Sequence, residues 1–408
     1  MATASPMGGR GITTEEKIQL LRRTQYLSLL ALLLMLVLVV AGCGSGGSST
    51  SSTGESTGKN SSPSESEGSG SADVAAAEKI IAPYIGKPYP PFPVDEPLTE
   101  KPSADTKISQ LQFETPYAAL LASLVNEAAA TAGVKVQTVK AGNTASKVQS
   151  AMQTILSQEP EVIILPGADP NLFSKQLEEA QEKGINVVSG GIENTEEFGI
   201  DAFMISNTQF EEAGKLEAAW TVAHHGPESS PVFYETPELS FNEIEVESFT
   251  AEMEKLCGEC EVRTLPIAVT EIGNKAPSTV VSDLQSNPGT NQAVLAAPEI
   301  ALGLPSAMKS AQLEVPIGPG FGGDPQTLEY IKNGEVEVVL GADAAVQAWT
   351  MFDEALRLAQ GQELTAGEKK GWAPMQLLTQ KDITFNPEHG WSSEPEFQKR
   401  FAKLWHAE

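Results

Sequence analysis

The stretch EVIILPGADPNLFSKQLEEAQEKGINVVS, residues 161–189, alternates between two patterns that together indicate the fold. Its apolar run VIIL predicts a buried strand, and NVVS at its end predicts a second strand. Between these runs, apolar residues recur at helical spacing. Asp169 followed by Pro170 is typical of a helix N-cap and first helical position, and Gly184 is typical of a helix end. A strand, a helix and a strand in this order predict a parallel βαβ unit.

The same alternation continues over most of the chain. Predicted strands lie at 108–113, 134–139, 162–165, 186–189, 203–206, 231–234, 262–265, 293–296, 315–318 and 336–341. Predicted helices lie at 117–132, 146–157, 170–183, 209–224, 242–256, 276–285, 325–332 and 346–360. Asp324 and Pro325, with Gly334 after them, repeat the helix signals in the second half. About 300 ordered residues exceed one comfortable core, so we expect two α/β lobes, each with a doubly wound parallel sheet.

The N-terminal segment carries an export signal. Arg22 and Arg23 precede an apolar run that ends in VLVVAGC, with Cys43 as its last residue. This ending looks like a bacterial lipobox, which implies cleavage after residue 42 and diacylation of Cys43. We therefore predict that 1–42 is a lipoprotein signal peptide. The alternative is an uncleaved membrane-anchoring helix, because roughly 17 apolar residues could nearly span a bilayer.

Residues 43–105 are predicted to be a tether that follows the lipidated cysteine. Up to about residue 72 the segment is almost wholly Gly, Ser, Thr and charged residues, which cannot bury enough surface to fold. A Pro-rich extension follows, and the ordered body is expected to begin near residue 105.

The charge balance excludes two kinds of partner. The chain has 27 Lys and Arg against 54 Asp and Glu, a formal net charge of −27. A surplus of this size repels nucleic acid and anionic lipid headgroups. We therefore expect no nucleic-acid partner, and membrane contact only through the lipid on Cys43.

Cys257 and Cys260 are the remaining cysteines, in the order Cys-Gly-Glu-Cys. This spacing is compatible with redox chemistry or with half of a metal site. The chain is exported and has no second cysteine pair, so a local disulfide in a helix-to-strand loop is the preferred interpretation.

Several short segments resemble periplasmic sugar-binding proteins of type 1, the ribose- and galactose-binding group. The resemblance covers about 107–408 and follows the family's order and spacing. The segments are FETPY at 113–117, PEVIILP at 160–166, GINVV at 184–188, ISN at 205–207 with EAG at 212–214, EIALG at 299–303, GFGG at 320–323 and QLLTQKD at 376–382.

The resemblance implies a two-lobed protein joined by three hinge crossings, which closes over a ligand and works with an ABC permease. By this analogy the N-terminal lobe comprises 106–228 plus 344–376. The C-terminal lobe comprises 229–343 plus 377–408. The crossings then fall near 226–231, 341–345 and 376–380. We expect a monomer that needs no cofactor and no metal.

The candidate ligand contacts lie in loops after the strands, because parallel sheets bind ligands at the carboxyl ends of their strands. Three positions depart from the sugar-binding pattern: Ser189 with two glycines replaces an Asp, Ala297 with Pro298 replaces Asn-Asp, and Gly322 replaces an Asp. The cleft is therefore expected to be less polar or to use other groups. These are Glu114, Tyr117, Asn143, Glu193, Glu235, Asn242, Glu299 and Asp343.

Each of these candidates has an alternative interpretation. The ring of Tyr117 could stack on a ligand ring, or it could pack at the start of the first helix. The polar candidates could instead be solvated loop residues.

Three features are compatible with an enzyme, but none completes a catalytic set. Residues 318–323 fit Gly-x-Gly-x-x-Gly, yet Pro319 removes an N–H that a phosphate would need. His224 and His225 could bind a metal, although solvated helix-end residues are the simpler interpretation. Ser189 lacks a nucleophile elbow.

The sequence therefore predicts a lipid-anchored bacterial solute-binding protein on the outer face of the cytoplasmic membrane. It would capture a sugar-like or related small molecule for an ABC importer. A ligand-sensing receptor of the same fold is the alternative. An exported enzyme with an interdomain active site is the rival from another class.

Overall fold

The computed structural model describes residues 72–142, 144–165, 170–191, 195–239 and 241–408. The predicted signal peptide, Cys43 and the tether up to residue 71 lie outside the described residues, as do Asn143 and Glu193. Within the described ranges, no helix combines the length and the apolar character needed to cross a membrane.

The strands and helices alternate as expected. The strands are β1 Lys107–Gln112, β2 Lys135–Lys140, β3 Val162–Leu165, β4 Asn186–Gly190, β5 Ala202–Met204, β6 Pro231–Glu235, β7 Arg263–Pro266, β8 Gln292–Leu295, β9 Ile317–Gly322, β10 Val338–Ala342 and β11 Met375–Thr379. The α-helices are α1 Val74–Ile81, α2 Pro116–Ala132, α3 Ala145–Leu156, α4 Ser174–Glu182, α5 Thr195–Phe198, α6 Asn207–His225, α7 Asn242–Leu256, α8 Ala276–Ser286, α9 Leu304–Ser310, α10 Pro325–Lys332, α11 Ala344–Ala359, α12 Ala366–Lys370 and α13 Phe397–Leu404.

Two sheets confirm the predicted fold class. The first sheet has the order β2-β1-β3-β4-β5, and all its pairs are parallel. The second has the order β11-β10-β9-β8-β6-β7 and is parallel except for β11, which pairs antiparallel with β10. The central strands β3 and β8 are buried along their whole length, as expected for strands covered on both faces.

Helix α6 belongs with the second sheet, which corrects the first lobe boundary. It packs against α7 and also contacts β9 and β10. The two helices approach closely at Gly214, where an added Cβ would lie 2.4 Å from the carbonyl oxygen of Glu245. The prediction that residues up to 228 lie in the first lobe is therefore wrong for this helix. The chain crosses before α6, near residues 205–207, rather than at 226–231.

The C-terminal tail is also placed differently from the prediction. Strand β11 lies in the second sheet, but α13 packs against α2 and α11, and α11 in turn packs on β3, β4 and β5 of the first sheet. The indole Nε1 of Trp405 donates to Asp353 Oδ1 at 2.6 Å. The end of the segment 377–408 therefore lies on the first lobe, because its aromatic side chains are buried there.

Residues 72–99 form an ordered N-terminal strap, whereas the sequence predicted a tether up to residue 105. Helix α1 packs on α6 and α7, and the backbone N–H of Asp73 donates to Leu256 O at 2.8 Å. Farther along, the strap forms isolated β-bridges to β11. It ends beside α13, where Leu98 N donates to Leu404 O at 2.9 Å. The strap is ordered because its apolar side chains are buried against both lobes. These are Ala77, Ile81, Tyr84, Val94 and Leu98.

Candidate functional site

A cavity lies where loops from the carboxyl ends of both sheets face each other. Its volume is about 170 Å³. The first sheet contributes loop residues such as Phe113 and Tyr117, and the second contributes Ala297 and Glu299. This is the position expected for a ligand site in parallel α/β folds.

Tyr117 stands at the entrance to helix α2. Thr115 caps the helix by accepting from Ala118 N at 3.2 Å, and Pro116 occupies the first helical position. The Tyr117 hydroxyl donates to Gln347 Oε1 at 2.7 Å. This bond fixes the ring of Tyr117 in the wall of the cavity. Burial, with the nearby Glu299 carboxyl, raises the pKa of Tyr117, and the hydroxyl stays protonated. The ring of Tyr117 therefore lines the cavity and is also packed at the start of α2.

Glu299 connects the two halves of the cavity. It lies in a short 3₁₀ turn, Pro298–Ala301, after β8, and its side chain is only 8% exposed. Its Oε1 accepts from the backbone N–H of Tyr117 at 3.3 Å, at the N-terminus of α2. Burial, together with the neighbouring Asp324, raises the pKa of Glu299 to about 7. Its carboxyl group therefore changes charge close to neutral pH.

Asp343 has a structural role instead of the predicted ligand contact. It caps α11 by accepting from Val346 N at 2.9 Å. Its other oxygen accepts from the Ser392 hydroxyl at 3.1 Å and from Ser393 N and Oγ at 2.6 Å each. The carboxylate is fully buried and is absent from the cavity lining. It ties the C-terminal tail to the start of α11.

The other predicted contacts do not meet in the cavity. Asn242 is buried at the start of α7, and its side chain accepts from Thr236 N at 2.6 Å. Glu114 and Glu235 are also absent from the cavity lining. Asn143 and Glu193 lie outside the described residues. The structure therefore brings together Tyr117 and Glu299.

The sequence did not identify the apolar wall of the cavity. Phe210 and Phe241 stack with ring centroids 4.3 Å apart, and Phe321 meets Phe210 edge-on at 5.2 Å. All of them line the cavity. Their sequence patterns are those of core aromatic residues, so periodicity alone could not assign them to a cleft.

The positions that depart from the sugar-binding pattern do reach this cavity. Gly190, Ala297, Pro298 and Gly322 all line it. Residues without polar side chains therefore occupy the wall where the resemblance would place carboxylates and amides.

The glycine-rich segment 318–323 lies in strand β9 up to Gly322 and does not form a phosphate loop. Gly318 has φ +107, and an added Cβ would lie 2.1 Å from Val338 O of the neighbouring strand. Helix α10 after it is capped by the carboxylate of Asp324, which accepts from Gln326 N at 2.9 Å. An acidic cap disfavours a phosphate at that helix end.

The histidines and cysteines have local partners. His224 Nδ1 lies 2.8 Å from Trp220 O, and His225 Nε2 lies 2.6 Å from Gln292 Oε1. Cys257 and Cys260 are joined by a disulfide at the end of α7. In the part of the chain that the structure describes, no group of His, Cys, Asp and Glu side chains could hold a metal ion.

Two α/β lobes with a cleft between the carboxyl ends of their sheets define the class of two-lobed periplasmic binding folds. The chain matches the periplasmic binding protein domain family over residues 109–363, more than half of its length, and it belongs to that family. No curated protein matches it by sequence.

Several solved structures share the fold. One is an ABC transporter solute-binding protein from Burkholderia graminis in complex with D-arabinose, with a TM-score of 0.61, 15% identity, and coverage of 71% of this chain and 99% of that one. Another is the Caulobacter myo-inositol binding protein, with a TM-score of 0.59, 21% identity and coverage of 69% and 96%. A third is a 5-methylthioribose transporter solute-binding protein from Thermotoga lettingae, with a TM-score of 0.59, 14% identity and coverage of 74% and 99%. At these identities the likeness concerns the fold.

Proposed function

We propose that this protein is an extracytoplasmic solute-binding protein that captures a small molecule between its lobes and delivers it to an ABC permease. The observation that carries the proposal is the hydrogen bond from Tyr117 N to Glu299 Oε1, which joins the two halves of the cleft beside the cavity. Membership of the periplasmic binding protein family supports the same role.

The proposed mechanism is closure around a ligand. Tyr117 and Gln347 form one wall, while Glu299 and the phenyl rings form the opposite wall. A ligand that touches both walls stabilises the closed form only by its additional affinity for that form. The permease would then recognise the closed lobes.

The test uses the protein purified under native conditions. We expect mass spectrometry of the denatured protein to release an intact small molecule. We also expect X-ray scattering to show a more compact particle when that molecule is added back. Recovery of a chemically altered compound would favour an enzyme. A particle whose dimensions are the same with and without the released compound would contradict the proposed closure.

We further propose that the protein is anchored by a lipid on Cys43. A radiolabelled fatty acid should be incorporated into the intact chain and lost in Cys43→Ser. Cys257→Ser is the matched control and should keep the label, because Cys257 lies in the folded body. Labelling that survives in Cys43→Ser would contradict the anchor while leaving solute binding untouched.

A further inference from the structure

The walls of the cavity are poorly suited to a polyol. Phe113, Phe210, Phe241 and Phe321 line it together with aliphatic side chains. A polyol presents hydroxyl groups on every side, and each one that is buried without a hydrogen-bond partner weakens binding. An apolar body avoids this cost. An engineered apolar cavity of about 150 Å³ holds a benzene ring, so the cavity of about 170 Å³ suits a single ring.

The charge around the cavity argues against an anion. Among the described residues that line it, the ionisable side chains are Tyr117, Glu238 and Glu299, and none is a Lys, Arg or His. The internal residues outside the description also contain no Lys, Arg or His. These are residues 143, 166–169, 192–194 and 240. A ligand carboxylate or phosphate would therefore have no cationic partner there.

Glu299 has acceptor capacity that its protein contacts leave unused. Its side chain is more than nine-tenths buried, and it accepts a hydrogen bond from Tyr117 N and another from its own backbone N–H. Both donors are neutral, and the nearby charged group is another carboxyl, Asp324. A buried carboxylate gains most from a cation that donates hydrogen bonds to it.

The phenyl rings offer an apolar surface for the body of such a ligand. Phe210 and Phe241 are stacked, and Phe321 meets Phe210 edge-on. A ligand ring can extend this arrangement by stacking on a ring face or by meeting a ring edge-on.

We propose that the cleft takes a compact, largely apolar organic amine whose ammonium group pairs with Glu299 and whose body lies against the phenyl rings. The proposal rests on the solute-binding function proposed above and names the chemical class of its ligand.

The experiment uses matched pairs that differ only in the polar group: benzylamine with benzyl alcohol, and cyclohexylamine with cyclohexanol. Calorimetry is carried out at pH 8, where Glu299 is ionised, with myo-inositol and D-arabinose as polyol probes. We expect each amine to bind at least tenfold more tightly than its alcohol, and we expect no heat from the polyols. In Glu299→Gln the amine should lose this advantage while the alcohol binds as before. Glu243→Gln, an exposed carboxylate on α7, is the control and should behave as the wild type.

Equal affinity within both pairs, or no binding by either amine, would overturn the proposal. So would an advantage of the amines that survives in Glu299→Gln. If a polyol binds and compacts the protein, the ligand class is wrong but the solute-binding function stands. If the protein neither releases a bound molecule nor closes on any compound, the function itself fails.

Discussion

On the side of the first lobe covered by the strap and α13, buried charges are held by short directional bonds, whereas the cleft is lined mostly by apolar side chains. Arg357 Nε lies 2.6 Å from Asp353 Oδ2 and 3.2 Å from Glu368 Oε2, and the same guanidinium donates to the strap at Glu96 O. Trp405 completes this cluster through its bond to Asp353.

In the cleft, by contrast, most of the lining side chains are apolar, and Tyr117 makes hydrogen bonds to Glu299 and to Gln347. The difference explains how the strap-covered side can be rigid while the cleft remains able to open. Directional bonds fix the strap and the tail in one position, because breaking them leaves charges without their partners. Apolar walls can separate without leaving such charges behind, which fits the proposed closure around a ligand.

The largest expected effect comes from breaking the charged cluster. Arg357→Met should lower the free energy of unfolding by about 3–5 kcal/mol, because it leaves the Asp353 carboxylate buried without its cation. Urea denaturation at pH 7 measures this loss. Lys183→Met removes an exposed ion pair with Glu179 and should leave the free energy of unfolding nearly unchanged. Similar losses in the two variants would contradict the contrast between the buried cluster and the surface.

A matched pair of tryptophans isolates one directional bond of that cluster. Trp405→Phe removes the donor to Asp353, and we expect a loss of about 2 kcal/mol from the hydrogen bond to a charged group. Trp349 stacks on Trp405, but its Nε1 is buried without a partner in the described structure. Trp349→Phe therefore changes the same volume without breaking a bond. Chemical denaturation should show the smaller loss for Trp349→Phe, and the reverse order would be evidence against the bond.

Two buried carboxyl groups that lack a cationic partner predict that the stability of the protein depends on pH. Glu217 on α6 and Glu245 on α7 are fully buried, and burial raises the pKa of both, with Glu217 adding to the rise at Glu245. The folded state then holds protons that the unfolded state releases above about pH 4.5. The free energy of unfolding should therefore fall as the pH rises from that value through the raised pKa values.

Glu217→Gln should weaken this fall and raise stability at pH 8 by about 1–2 kcal/mol, because a glutamine is buried uncharged without taking up a proton on folding. Urea melts at pH 5 and pH 8 measure the difference between the two conditions. Glu243→Gln, which changes an exposed carboxylate on α7, should leave the pH profile unchanged. An unaltered profile in Glu217→Gln would contradict the prediction.

The smallest expected effect lies in the cleft. Tyr117→Phe removes the hydrogen bond to Gln347 and should lower the free energy of unfolding by about 1 kcal/mol. Thermal unfolding of the ligand-free protein measures it. Tyr89→Phe, at a side chain that is 44% exposed, should change the melting temperature less. A larger loss than in Trp405→Phe would mean that the cleft is as firmly bonded as the strap-covered side.

The alternation of strands and helices was predictable from the sequence. Buried parallel strands appear as short apolar runs, whereas the helices that cover them have apolar residues at helical spacing. The placement of α6 was not predictable. Helical periodicity shows that a helix has an apolar face but does not show which sheet that face covers. Close packing at Gly214 decides it in the structure. The strap was missed because its helix α1 is only eight residues long and its later buried residues, Val94 and Leu98, stand among prolines.

The cleft was predictable in position but only partly in content. A carboxylate after a strand has the same sequence pattern whether it binds a ligand, as proposed for Glu299, or caps the next helix, as Asp343 does. Only the bonds of Asp343 to Ser392 and Ser393, more than 40 residues later, separate the two roles. Phe210 and Phe241 are distant in the sequence from Phe321. The contact among their phenyl rings is therefore visible only in the folded structure.

The strap has one more consequence, for how copies of the protein behave towards each other. Strand β11 is the last strand of its sheet, and its outer edge is bridged by Ile85 to Leu377 and by Tyr89 to Met375. An uncovered edge offers its backbone N–H and C=O groups to any extended segment, which is a common route to aggregation. By occupying that edge, the strap keeps neighbouring molecules from joining strand to strand.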